Sequence, residues 1–133
     1  MLQLIYISTP RGVVSAAELQ RILLISRRNN ARDGITGLLF FDGTRFLQAL
    51  EGEEDVVADA FERIRADVRH MGVVTLSRRE IEAREFGPWA MASRVSLEGD
   101  SAMLQRVAEL VADASPAVQA TFNSFAQMRR KAA

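Results

Sequence analysis

The sequence contains no cysteine, and it has one histidine, one tyrosine and one tryptophan (His70, Tyr6 and Trp89) among its 133 residues. Disulfides, thiol catalysis and cysteine-ligated metals are therefore excluded. A histidine-rich metal site is impossible, and a serine–histidine–aspartate triad would have to use His70. Gly34 and Gly37 fit neither the Walker nor the Rossmann spacing, so no glycine-rich phosphate loop is indicated.

An excess of charge of either sign is also lacking, because 17 acidic residues balance 17 basic ones. A near-neutral chain gives no electrostatic basis for binding nucleic acid or an anionic membrane. No apolar run approaches the roughly 20 residues that span a bilayer, and the apolar start lacks the flanks of a signal peptide. We therefore expect no nucleic-acid or membrane partner and a cytoplasmic location. With 48% hydrophobic residues, the chain has enough apolar material for the core of one domain.

The patterning begins with a strand over residues 2–8 that is apolar on both faces, which is typical of a strand covered on both sides. Residues 15–18 form a capping box that opens a helix. On that helix Ser26 and Asn30 continue the apolar face, so they should point toward the interior. Both then need partners, because an unsatisfied buried polar group costs about 1–3 kcal/mol.

Two further strands are predicted over residues 35–41 and 45–51, joined by a hairpin turn at residues 42–44. Gln48 shares a face of the second of these strands with Phe46, because side chains alternate with a period of two. A polar amide among large apolar neighbours indicates a side chain that meets a specific partner.

A second helix with an acidic start, a polar connection at residues 67–72 and a strand over residues 73–83 follow. The order strand, helix, strand, strand, helix, strand predicts an α+β fold with a ferredoxin-like βαββαβ core, whose helices cover one face of an antiparallel sheet. The first strand then lies beside the third, which brings Tyr6 and Gln48 onto adjacent central strands.

A turn at residues 86–88 leads to a predicted fifth strand on which Trp89 and Met91 share one face. Two helices complete the chain, and the second begins at residues 115–116 with an N-cap serine and a proline.

Five segments in register resemble the BLUF domain, the family of blue-light sensors that use FAD. The resemblance covers roughly residues 1–95. The segments are residues 4–8 (LIYIS), 26–39 (SRRNNARDGITGLL), 46–52 (FLQALEG), 67–70 (DVRH) and 89–91 (WAM).

This resemblance implies a non-covalent flavin whose ring lies between the two core helices, edge-on to Tyr6 and Gln48. Asn30 would bind the polar edge of the ring, and Trp89 and Met91 would flank Gln48 and pass the signal to the fifth strand. The cofactor-binding residues it implies are Ser26, Asn30, Arg32, Phe46, Gln48, Asp67, Arg69 and His70.

The chemistry of the two central residues suits a light sensor that turns over no substrate. A tyrosine with a pKa of about 10 is neutral at pH 7, so Tyr6 can give up an electron and a proton together to the excited flavin. The amide of Gln48 has one acceptor and two donor hydrogens, so a rotation or tautomer change swaps its role at a flavin carbonyl. In the BLUF family that change produces a small red shift of the flavin absorbance, which reverses in darkness.

Two other classes of protein remain open from the residues alone. The same scaffold serves acylphosphatase-type hydrolases, in which Arg11 and an asparagine would bind phosphate, although the loop at residues 9–12 is a poor phosphate cradle. A cofactor-free interaction module is the other. In either case Tyr6 is an ordinary core aromatic and His70 a surface residue.

Residues 96–133 are interpreted as a helical extension that packs on the sheet rather than a separate domain. About 38 residues are too few for an output enzyme. We expect the two helices to cover the face of the sheet opposite the flavin, and the signal to pass through a homo-oligomer or another protein.

Overall fold

The structure, a computed structural model, describes residues 1–41, 43–67, 69–85, 95–96 and 101–132. The strands are β1 (Leu2–Pro10), β2 (Thr36–Phe41), β3 (Phe46–Gly52), β4 (His70–Glu80) and β5 (Val95–Ser96). The helices are α1 (Ala16–Asp33), α2 (Glu54–Ala66), α3 (Ser101–Val111) and α4 (Pro116–Ala132).

The five strands form one sheet in the order β4-β1-β3-β2-β5. The first four are antiparallel to their neighbours, and β5 runs parallel to β2, with Val95 opposite Leu39. This order confirms the ferredoxin-like prediction and places β1 beside β3. The near-continuous apolar sequence of β1 explains its central position, because both of its faces are buried.

Local capping fixes both ends of α1. The hydroxyl of Ser15 accepts a hydrogen bond of 3.1 Å from the backbone N–H of Glu18, as the capping box predicts. The helix ends at Gly34, which has a φ of 68° and donates its backbone N–H to the carbonyl oxygen of Asn30. Only glycine adopts this left-handed conformation without strain, so the sequence sets where α1 stops and β2 begins.

The strand β4 differs from its predicted bounds. It begins at His70 rather than residue 73 and ends at Glu80 rather than residue 83. Gly72 lies inside the strand with a φ of 58°, and the register against β1 shifts between Ile7 and Thr9. This irregularity lets polar residues of the expected connection join the sheet. The predicted turn at residues 86–88 and the predicted strand at Trp89 and Met91 lie outside the described residues.

Each face of the sheet packs against its own pair of helices. One layer combines β1 to β3 with α1 and α2. The other combines alternate residues of the strands with α3 and α4. The first buried cluster consists of Leu2, Leu4, Tyr6, Ile35, Leu39, Phe41, Phe46, Leu50, Val57, Ala60 and Phe61. The second consists of Ile5, Ile7, Phe40, Leu47, Ala49, Leu76, Val107, Val111, Phe122 and Phe125.

The second cluster makes a quantitative prediction about the last helix. Phe125 is completely buried, and Phe125→Ala should lower the free energy of unfolding by about 3–5 kcal/mol, because it leaves a cavity beneath the sheet. Asn123→Ala, at an exposed position of the same helix, is the matched control and should change it by less than about 0.7 kcal/mol. Denaturant unfolding measures both. A loss below about 1 kcal/mol for Phe125→Ala would mean that α4 contributes little to the core.

Candidate functional site

Tyr6 and Gln48 lie directly opposite each other where β1 pairs with β3. Residues opposite each other in an antiparallel pair point to the same face, with Cβ atoms about 4.5–5.5 Å apart. Both side chains are buried, with 1% of Tyr6 and 7% of Gln48 exposed. The structure therefore confirms that these two side chains are neighbours, and it excludes an exposed position for Gln48.

An apolar environment surrounds Tyr6. The ring of Phe61 on α2 lies with its centroid 5.1 Å from that of Tyr6, at an interplanar angle of 53°. Burial raises the pKa of Tyr6 far above its ordinary value, because a phenolate would lose its hydration there. The side chain is therefore a neutral phenol that keeps its hydroxyl proton at any physiological pH.

Asn30 presents an open hydrogen-bond donor from α1. Its side chain is buried, and its Nδ2 atom has no partner among the residues that the structure describes. Ser26, one turn earlier on the same helix, is half-buried. Buried amides nearly always find a partner, so an unpaired Nδ2 indicates a donor that is available to an acceptor oxygen or nitrogen of a ligand.

His70 provides a second open polar atom, near Phe46. Their ring centroids are 6.4 Å apart in an edge arrangement, and His70 Nδ1 has no partner among the described residues. Burial lowers the pKa of His70, although the charge of Asp67 partly opposes that shift. A neutral imidazole can donate from one nitrogen and accept at the other.

Asp67 and Arg69 form a local ion pair beside His70. The Nη2 atom of Arg69 lies 2.7 Å from Oδ2 of Asp67, and the backbone N–H of Arg69 donates to Oδ1 over 2.9 Å. These hydrogen bonds lower the pKa of Asp67 to about 2. The side chain of Arg69 is 75% exposed, so it remains accessible to an anionic group at the edge of the site.

Arg32 does not join this group. It lies in the last turn of α1 and pairs with Asp33 at 2.9 Å, while Arg63 of α2 approaches the same carboxylate to 3.5 Å. The helix α1 ends beside Gly52, which lies opposite Leu2 at the start of β1. His70 lies opposite Pro10 at the end of β1. Arg32 and the Asp67–His70 segment are therefore near opposite ends of β1. Trp89 and Met91 lie outside the described residues.

The sequence patterns did not lead to the prediction of a row of polar residues on the face of the sheet opposite Tyr6. Gln3 is fully buried between Glu51 on β3 and Arg79 on β4. Its Nε2 donates to Glu51 Oε2 at 3.0 Å, and its Oε1 accepts from Arg79 Nε at 2.8 Å. The signal was present in the sequence, because Gln3 is a polar residue within an apolar strand, the feature that singled out Gln48.

The described residues suit a planar ligand with polar edges. The backbone of α2 approaches β1, β3 and β4 closely, while that of α1 stands farther from the sheet. Tyr6 and Gln48 lie opposite each other on β1 and β3, and Tyr6 belongs to the buried cluster that both helices cover. Asn30 is buried on α1, with its Nδ2 atom open. An isoalloxazine ring has apolar faces and an edge of carbonyl oxygens and ring nitrogens, so these residues fit a flavin.

The described part of the chain contains neither a metal-binding cluster of side chains nor a helix that could span a membrane. No cluster of three histidine, cysteine, aspartate or glutamate side chains could hold a metal ion there. Among the same residues, no helix is both long and apolar enough to cross a membrane.

The fold and the site define a ligand-binding α+β domain in which two helices and a sheet enclose a tyrosine–glutamine pair. Residues 1–92 match the model of the BLUF family, described as sensors of blue light using FAD. The chain belongs to this family, and this confirms the resemblance seen in the sequence. Its function is accordingly that of a blue-light photoreceptor.

Relatives of known function agree with this assignment. The chain is 35% identical over 91 residues to the photoactivated adenylate cyclase subunit beta of Euglena longa, an alignment covering 68% of this chain and 11% of that protein. It is 35% identical over 88 residues to the blue light- and temperature-regulated antirepressor BluF of Escherichia coli (strain K12), covering 66% of this chain and 22% of that protein. The chain therefore spans only a small part of these relatives.

A solved structure matches over nearly the full length of both chains. The dark-state structure of BlrB, a BLUF protein, superimposes with a TM-score of 0.69 at 30% identity, covering 98% of this chain and 94% of that one. The tail helices are thus included in the structural similarity.

Proposed function

We propose that residues 1–95 hold a flavin without a covalent bond and that Tyr6 and Gln48 are the photoactive pair. The observation that supports this most strongly is that Tyr6 and Gln48, both buried, lie directly opposite each other on β1 and β3. The buried asparagine of α1 with its open donor adds to it. A bound flavin supplies absorption of blue light and, once excited, a strong one-electron acceptor.

Tyr6 then gives up one electron and its hydroxyl proton, and both return to it, so the cycle causes no net oxidation. Gln48 changes which of its amide atoms faces the ligand, and this exchanges a donor for an acceptor. Such an exchange needs to shift the balance between two conformers by only a few kcal/mol to change their populations. Trp89 and Met91 respond to the exchange of hydrogen bonds at Gln48 and pass this signal to the fifth strand.

The remaining site residues bind the cofactor in two groups. Ser26 and Asn30 face the ring from α1, and the open Nδ2 of Asn30 donates to its polar edge. Phe46 and His70 line the other end, where the exposed guanidinium of Arg69, oriented by Asp67, is available for a phosphate group. A phosphate at that position favours FAD or FMN over riboflavin, and we propose FAD. Arg32 would contact the cofactor only from the opposite end of β1.

The chain itself turns over no substrate in this proposal. Residues 96–133 serve as a helical extension of the sensor rather than a second domain, and α3 and α4 bury the second face of the sheet. Output then passes to a second copy of the chain or to another protein. A cytoplasmic location stays a prediction.

The hydrolase alternative is not favoured. It requires backbone N–H groups of the first loop to bind phosphate, but the N–H of Arg11 already donates to the carbonyl oxygen of Arg69 at 2.8 Å. An interaction module without a cofactor would leave the buried Nδ2 of Asn30 unexplained.

The proposal is tested first by the visible absorbance of the purified protein, in darkness and then under blue light. We expect flavin bands that shift slightly to the red and return in darkness. Flavin bands that only bleach would indicate redox or adduct chemistry and would remove Gln48 from the mechanism. A protein that binds no flavin after incubation with FAD would contradict the proposal, and chromatography of the released cofactor identifies FAD or FMN.

A further inference from the structure

The helices α1 and α2 form a layer whose outer side is turned away from the sheet. Both helices pack on the face of the sheet that carries Tyr6, while α3 and α4 occupy the other face. The strands β1 and β2 run in one direction, and β3 and β4 run in the opposite one. The connecting helices α1 and α2 are therefore antiparallel. Two antiparallel helices can meet the same two helices of a second copy across a two-fold axis, with α1 over the other copy's α2 in both contacts.

The outer side of α1 combines apolar side chains with positive charge. Leu24 and Ile25 are 55% and 46% exposed, and they are two of the four large apolar side chains that are exposed among the described residues. Arg21 and Arg28 are exposed one turn before and one turn after this pair, and these spacings place all four on one side of the helix. Neither arginine has an ion-pair partner within the described part of the chain.

The outer side of α2 carries the opposite charge. Three carboxylates are exposed on one side of this helix, at spacings of four and three residues: Asp55, Asp59 and Glu62. Half-buried Ala58 lies among them. Of the basic residues of the same helix, Arg65 approaches Glu62 to 3.9 Å and Arg63 pairs with Asp33 of α1 at 3.5 Å. The side of α2 that carries the three carboxylates is therefore acidic.

The two sides match in spacing as well as in charge. Arg21 and Arg28 are seven residues apart, and so are Asp55 and Glu62. Seven residues of an α-helix span about 10.5 Å, so each of these arginines can face one of these carboxylates when the two helices lie antiparallel. The apolar pair at residues 24 and 25 then faces Ala58, whose small side chain permits a close approach.

We propose that α1 of one copy of this chain packs against α2 of a second copy, and that two such contacts related by a two-fold axis form a homodimer. The apolar pair loses its contact with water at the centre of each contact, and the flanking charges set the orientation. Because exposed ion pairs contribute little individually, the dimer dissociates on dilution and in high salt. The inference goes beyond the proposed photochemistry and does not depend on it, because it concerns the outer side of the helix layer rather than Tyr6 and Gln48.

Sedimentation velocity of the full-length protein in darkness, over a dilution series at low salt, tests the proposal. We expect dimers that dissociate on dilution. In the double variants Arg21→Glu/Arg28→Glu and Asp55→Lys/Glu62→Lys, like charges face each other in both contacts. Their dissociation constants should rise at least roughly a hundredfold. The variant that combines all four substitutions has opposite charges at the contacts again and an unchanged net charge, so its dissociation constant should return to within about tenfold of the normal value.

The apolar pair has a test of its own. Leu24→Gln removes an apolar side chain from both contacts of the dimer, and it should raise the dissociation constant at least roughly tenfold. Arg78→Glu on β4 and Glu82→Lys after it, both at exposed positions, are the matched controls for charge reversal and should dimerise normally.

Three results would overturn the inference. A chain that is monomeric at every concentration would leave the outer side of α1 to a different protein with an acidic surface. A dimer that persists in both double variants would place the interface elsewhere. A combined variant that stays monomeric with a native circular dichroism spectrum would show that the two helices do not face each other. If a charge reversal prevents folding, the neutral variant Arg21→Gln/Arg28→Gln decides, with an expected rise of at least roughly tenfold.

Discussion

Gln48→Leu should yield a yellow, folded protein whose absorbance no longer shifts reversibly to the red. Leucine has nearly the same size, so the buried position opposite Tyr6 remains filled and the flavin stays bound. What is lost is the group that is both donor and acceptor, and with it the only change at this position that light can produce. The amplitude of the shift should fall below about a tenth of the normal value.

Difference spectra before and after blue illumination measure that amplitude. Gln105→Leu, at an exposed position of α3, is the control for the substitution itself and should respond normally. A normal red shift in Gln48→Leu would show that the signal arises elsewhere and would remove Gln48 from the switch.

Tyr6→Phe should abolish the normal photocycle while leaving the fold nearly unchanged. The substitution removes one hydroxyl from a buried ring packed on Phe61, so we expect the free energy of unfolding to change by only about 1 kcal/mol. Phenylalanine has no proton to give up, and the sequence contains no second tyrosine to replace it.

Transient absorption after a blue pulse, with denaturant unfolding in parallel, separates the chemistry of Tyr6 from its packing. Phe61→Leu changes the packing around the Tyr6 ring but keeps the hydroxyl, at a cost of about 1 kcal/mol, and it should retain the red shift. If Tyr6→Phe cycles normally, the electron and proton come from another residue.

Sequence patterns predicted the sheet and the central pair because both depend on periodicity. Alternation in β1 and β3 fixed which side chains share a face, and the order of elements fixed which strands are neighbours. These two facts place Tyr6 and Gln48 on neighbouring strands, where their side chains can meet, and the register of the structure puts them directly opposite each other. The burial of Asn30 followed in the same way from its position on the inner face of α1.

Periodicity did not predict features that depend on single backbone conformations or on contacts distant in sequence. The bulge at Gly72 moved the start of β4 to His70, and a glycine in a polar segment indicates a loop as readily as a bulge. The side chain of Arg84 donates hydrogen bonds to Thr36, Glu51 and Gly34, which lie 33 to 50 positions away in the sequence. No local sequence pattern indicates such distant partners. The separation of Arg32 from Arg69 likewise required the three-dimensional register.

The sheet has a consequence for how this molecule can respond to what binds it. Gln48 faces the Tyr6 layer, while its neighbours Leu47 and Ala49 on β3 belong to the cluster under α3 and α4. The strand β3 therefore contributes side chains to both buried clusters. A displacement of β3 alters the packing of both clusters at once, and the coupling free energy between the two faces is the same in both directions. Any partner that binds the tail helices more tightly in one conformation must therefore shift the equilibrium between the two conformations by the same free energy with which the conformational change alters its binding.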